Sequence, residues 1–227
     1  MSSPPFTGAR NEGSEGSELN ALTFLIQQVL ATVAGATPVK VVAVRGTGLA
    51  PVGFVDVLPM VNQVDGFGNA VPHAVVHNLP YFRLQGGANA VIVDPVAGDI
   101  GVAIFADRDV SSVKATRAQA NPGSHRRNDW SDGFYVGGFM NAAPTQYVQF
   151  TASGIVIVSP THITLQAPLI TINGQITQTA PIGGGSGAVA MQGPVTVVQD
   201  VTAAGISLST HHHTGVQPGS GTSGPPV

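Results

Sequence analysis

The chain has 227 residues, of which 9% are charged and 43% apolar, with 29 Gly, 17 Pro and no Cys. That length supports a sizeable core, and the scarcity of charge argues against disorder. The net charge of −3 gives no electrostatic reason to expect nucleic acid or anionic lipid, and the absence of Cys removes disulfides, thiolate metal sites and Cys nucleophiles.

The opening "MSSPPFTGARNEGSEGSE" is acidic and Gly/Ser-rich, unlike a secretory signal. Leu19–Ala36 predicts an amphipathic helix: Leu22, Leu25, Ile26, Val29 and Val33 recur at the spacing of one helix face. Ser17 suits the N-cap, Glu18 the first turn and Gly35 the stop. Asn20, Gln27, Gln28 and Thr32 interrupt the apolar run, so the helix is expected to dock on a protein neighbour rather than cross a membrane.

From Val39 to about Phe150 the chain alternates strand and turn. Val39–Val44, Val52–Val61, Asn89–Asp94 and Asp99–Asp107 are rich in β-branched residues and bounded by Gly, Pro or Asn. "DGFGN" at Asp65–Asn69 marks a turn. About five short strands in about 100 residues fit a small Greek-key barrel of the oligonucleotide/oligosaccharide-binding (OB) type, with a two-sheet sandwich as the rival.

Beyond Tyr147 the only charged side chain is Asp200. Ile155/Ile157, Ile163/Leu165, Ile170/Ile172 and Val195/Val197 alternate with Thr, Ser, Gln and Asn, the period of short strands with tight corners. An uncharged narrow sheet with open edges is an aggregation hazard and has too few large side chains for its own core. Three copies wound about one axis would bury the aliphatic face, so a homotrimeric β-helical shaft is expected, against a second ordinary β-domain.

Three of the seven histidines stand together at His211–His213. On a strand, His211 and His213 face one way and His212 the other. Two imidazoles make a poor metal site, but on a threefold axis they become six nitrogens. Imidazole suits Fe, Ni, Cu or Zn, and six donors favour Fe over four-coordinate Zn. With no carboxylate and no open position, such a site is structural. A purification-tag remnant or frayed tail is the plain alternative.

"GDIGVAIFADRDVSSVK" (Gly98–Lys114), "NPGSHRRNDWSDGFYVGGF" (Asn121–Phe139) and the upstream Pro72–Pro95 resemble the N-terminal OB domain of central spike proteins of contractile-tail bacteriophages. "HHHTGVQPGSGTSGPP" (His211–Pro226) resembles the apex of the same spikes. The resemblance implies an all-β homotrimer: an N-terminal extension with an amphipathic helix (1–38), an OB barrel (39–146), an intertwined β-helix shaft (147–208) and a small apex (209–227). It implies one structural iron ion per trimer held by His211 and His213 of three chains, with Zn or Ni the lesser candidates. The implied place is the virion, at the tip of the tail baseplate. The implied partners are a baseplate hub protein and the host outer membrane, with no nucleic acid, and the implied work is mechanical piercing rather than catalysis. His212, where a small or polar residue is usual, and Thr214, where Gly is common, depart from the pattern. A polysaccharide-degrading spike and a glycan-binding fibre are the alternatives.

Other motifs read as structural. "HAVVH" (His73–His77) lacks the Glu of zinc proteases and sits in strand-like sequence. "GGGSG" (Gly183–Gly187) lacks the Lys-Ser/Thr of a phosphate loop. Asp107, Asp109, Asp129 and Asp132 are assigned to turns and to ion pairs with Arg108, Arg126 or Arg127. "SHRRND" (Ser124–Asp129) suggests an interchain or hub contact.

Overall fold

A computed structural model describes residues 16–31, 33, 35–65, 67–179, 189–213, 215 and 219. It divides into two compact units, residues 1–163 and 164–227. Thr214, most of the tail beyond it, and "GGGSG" lie outside the described residues.

Helix α1 spans Glu18–Ala31. The Ser17 hydroxyl accepts the Asn20 N–H at 3.1 Å, which is the expected N-cap. The helix ends before Gly35, and the Val33 N–H turns back to the Leu30 carbonyl at 3.0 Å. The β-branched pair Thr32–Val33, a poorer helix former than the Leu/Gln-rich stretch before it, supplies the reason. No helix among the described residues is long and apolar enough to cross a membrane.

The strands follow in order: β1 (Ala36–Arg45), β2 (Phe54–Pro59), β3 (Gln63–Val64), β4 (Ala70–Val71), β5 (Val76–Pro80), β6 (Leu84–Gly86), β7 (Asn89–Val91) and β8 (Ile100–Phe105). Helix α2 (Ser111–Thr116) and a 3-10 turn (Trp130–Asp132) lead to β9 (Gly133–Val136). A five-stranded sheet has the order β5-β2-β1-β8-β9, with every pairing antiparallel. A parallel bridge between Tyr81 and Tyr135 brings its two edges together, and the Phe82 N–H donates to the Tyr135 carbonyl at 2.8 Å.

The core is the inner face of this curled sheet. Val39 and Val41 of β1, Val55 and Val57 of β2, Val76 and Leu79 of β5, Ala103 of β8 and Tyr135 of β9 are buried together with Tyr81. Phe105 and Trp130 pack against them. Alternation places these side chains on one face, except where bulges intervene. One bulge lies in β1 between Val41 and Ala43, a second opposite Asp56 at His77–Asn78. Asn78 there has φ +61°. Its N–H donates to Asp56 Oδ1 at 3.0 Å, so the carboxylate pins the bulge.

Two tyrosine rings lie over glycines. A Cβ on Gly53 would meet the Tyr81 ring at 2.1 Å, and one on Gly101 the Tyr135 ring at 2.5 Å. The sheet curls tightly enough only where the facing residue has no side chain.

The sequence expectation for Asn89–Asp94 shrinks to β7, which pairs with β6 in an outlying hairpin. Its place in the main sheet is taken by β5 and β9. Beyond the sheet, β10 (Tyr147–Thr151) and β11 (Gly154–Val158) form an antiparallel hairpin. The described residues 159–179 and 189–201 contain no strand. Their aliphatic side chains are exposed, Leu165 to 69% and Ile172 to 61%. A strand needs a neighbour for its N–H and C=O groups, and here neither alternating face nor edge has one within the same chain.

Candidate metal centre

The second unit carries a hairpin of β12 (Thr202–Ala203) and β13 (Ile206–Ser207), paired Thr202 to Ser207 and Ala203 to Ile206. Its two-residue turn, Ala204 and Gly205, has φ of +50° and +85°. Two successive left-handed residues match the twist of a tight hairpin, and Gly adopts the second position without strain.

Polar contacts wrap the following residues back onto this hairpin. The Leu208 N–H donates to the Val201 carbonyl at 2.8 Å, and the Ser209 N–H to the Asp200 carboxylate at 3.1 Å. The Ser207 hydroxyl and that N–H hold the Asp200 carboxyl below its ordinary range. The Thr210 N–H and hydroxyl both reach Ser207 Oγ, at 3.0 and 2.8 Å.

This curl sets the histidines. The His211 N–H donates to the Ser207 carbonyl at 3.2 Å. His211 Nδ1 lies 3.0 Å from the same carbonyl oxygen and 3.1 Å from that of Leu208. Carbonyl oxygens only accept, so Nδ1 carries the proton and the lone pair sits on Nε2. That is the arrangement by which a backbone carbonyl orients a metal-ligating imidazole. The ring of His213 stands 5.0 Å from that of His211, at 83°. The two rings thus meet in a segment that follows β13 without itself being a strand.

The rings of His211 and His213 are the imidazoles brought together here among the described residues. Among the described residues no group of three or more His, Asp or Glu is gathered closely enough to hold a metal. The donor set fits an imidazole-bound transition metal only if other chains add to it.

The remaining motifs are occupied structurally. The His73 ring packs on Trp130 at 4.7 Å, and His77 Nδ1 lies 3.1 Å from Asp56 Oδ2. Asp56 also accepts both terminal nitrogens of Arg45, at 2.6 and 2.9 Å. That guanidinium, ahead of the Asn78 N–H and His77, holds the carboxyl far below the ordinary carboxylate value. Arg126 bridges Asp109 and Asp132 at 3.0 and 2.8 Å, and Arg108 lies 3.7 Å from Asp107. Asp129 caps the 3-10 turn by accepting the Ser131 N–H.

A third buried network was not legible in the sequence. Arg83 reaches Tyr81 Oη at 2.7 Å, Asp94 at 3.1 Å and the carbonyls of Gly46 and Ala50. Asp94 accepts from the Tyr81 hydroxyl and the Gly48 N–H, each at 2.5 Å. Together these clamp the β1–β2 loop. The only signal was "YFR" set between apolar segments.

Residues 205–227 match the family model of the GpV apex motif. The match begins inside the β12–β13 turn and contains the histidine pair. It indicates a structural protein of the phage baseplate-spike type at this end of the chain. No curated protein matches the chain.

Proposed function

We propose that this chain is the central spike of a contractile phage tail, a homotrimer that pierces the host outer membrane mechanically when the sheath contracts. The observation that carries this reading is the coincidence of the apex motif with two touching imidazoles, one of them oriented to offer Nε2. His211 and His213 of three chains would hold one structural ion, with six imidazoles favouring iron over zinc. The ion supplies cross-linking of three chain ends where few apolar side chains are available.

The rest of the chain supports this division of labour. The strand order, with β1–β2–β5 as a meander, β8 on the other side of β1, β9 beside β8 and the Tyr81–Tyr135 bridge joining the edges, favours an OB-type barrel over a sandwich. In the spike, that barrel seats on the baseplate hub. The aliphatic residues from Val148 to Leu208 that one chain leaves exposed form the interior of a three-chain β-helix. Its outer surface then carries Thr, Ser and Gln with almost no charge, which limits the cost of entering hydrocarbon. Among the described carboxylates Asp56, Asp109 and Asp132 are held in ion pairs and Asp129 in a cap, which supports a non-enzymatic reading.

Elemental analysis and light scattering of the purified protein test the proposal. The expected result is one iron per three chains in a particle of about three times 23.0 kDa. The double variant His211→Ala, His213→Ala is expected to lose the iron. A metal-free monomer would overturn the reading.

A further inference from the structure

The face of α1 left open by the fold has a second periodicity. Leu19, Leu22, Ile26 and Val29 recur at spacings of three, four and three, the a and d positions of a heptad. Leu25 and Leu30 flank that seam at the g and e positions. Leu19, Leu22, Leu25, Ile26 and Leu30 are each more than half exposed. On the opposite side of the helix Ala21, Phe24 and Gln28 are half-buried. Leu25, Ile26, Val29 and Leu30 frame a shallow depression of about 240 Å³. Side chains from a facing helix fill depressions of this kind in knobs-into-holes packing.

From this pattern we infer that α1 is a coiled-coil segment whose partners are the α1 helices of two further copies of this chain, packed in parallel. The inference rests on the trimeric reading above for the number three. Several features select further copies as the occupant. The spacing of three and four sets each seam residue against its counterpart on an identical parallel helix. Apolar residues at e and g widen the stripe beyond the narrow seam of a two-stranded coil. Glu18 is the one charged residue of the helix and lies in its first turn, so three seams meet without like-charge repulsion. At 14 residues the helix is too short to associate strongly by itself. Only residues 32–35 separate it from β1. Three chains joined elsewhere therefore deliver their helices at high local concentration, and a short seam suffices.

The chain has no native cysteine, so single thiols report the contact directly. Full-length Leu22→Cys and, independently, Ile26→Cys are oxidised mildly and run on a non-reducing denaturing gel. Gln27→Cys, exposed and on the outer face, serves as the control, and each variant is sized by light scattering. The expected result is a three-chain particle in which both seam variants give disulfide-linked dimers and the control stays monomeric on the gel. A three-chain particle whose seam thiols do not link, or link no better than Gln27→Cys, overturns the coiled coil and leaves the spike reading standing. A single-chain particle without linkage overturns the trimer, and the coiled coil with it. Selective linkage in a two-chain particle keeps the seam but overturns its number.

Discussion

At residue scale, the strongest constraint is the Arg126 cluster. Its Asp132 partner is 1% exposed and accepts Nε and Nη2 of Arg126 at 2.8 Å and the Val110 N–H at 3.0 Å. Removing that carboxylate leaves Arg126 Nε and the Val110 N–H without their acceptor and the guanidinium with Asp109 as its remaining carboxylate. Asp132→Ala is therefore expected to destabilise the barrel by about 3 kcal/mol, read by chemical unfolding through the fluorescence of Trp130, the single tryptophan. Asp109 in the same cluster is held at about 2, against an ordinary 3.8, by the Ser111 and Ser124 side chains, with Arg126 contributing less. A carboxyl with a lower pKa folded than unfolded stabilises the fold above the unfolded value and loses that contribution as it protonates. The unfolding midpoint should stay level above pH ~5 and fall between pH ~4 and 2. A midpoint flat through that window would show that the cluster is not held as described. The carboxylate–arginine pairing was legible from residue types alone. That Arg126 serves both Asp109 and Asp132 was decided by how the 121–133 segment folds back onto α2.

At element scale, the strands of continuous β-branched sequence, β1, β2 and β8, were legible because their pattern is local. The two edge strands were not. β5 is broken by Asn78 in a left-handed conformation and ends at Pro80, and β9 is four residues opening on Gly133. Their strand character comes from partners already in the sheet. Closing the curl depends on Gly101, where a Cβ would meet the Tyr135 ring and the Val136 carbonyl, both at 2.5 Å. Gly101→Ala is expected to cost 1–3 kcal/mol or more and to lower the thermal midpoint measured by circular dichroism. An unchanged midpoint would mean that Tyr135 is not packed against β8. Helix α1 was legible to its N-cap, whereas its end at Ala31 came earlier than the apolar pattern suggests.

At the scale of the whole molecule, the described residues between 147 and 208 leave most of their aliphatic side chains unburied. Ile163, Leu165, Ile170, Ile172, Val195 and Val197 are all exposed. In the proposed trimer these side chains face one another, so Ile170→Asp with Ile172→Asp would place six carboxylates in its interior. Light scattering should then find single chains or aggregates in place of a particle of about three times 23.0 kDa. An unaltered trimer would place these residues outside the interface.

The sequence by itself determined the β-rich class, the N-terminal helix with its cap, and the pair of imidazoles at the end of a nearly uncharged region. Each of these is written in residue type and short-range spacing. Only the tertiary structure decided which strands complete the sheet, that Tyr81 and Tyr135 join its edges, and that the Ser207 and Leu208 carbonyls engage Nδ1 of His211. Those outcomes depend on groups brought together from distant segments or by a turn's exact path, and neither periodicity nor composition encodes such a meeting.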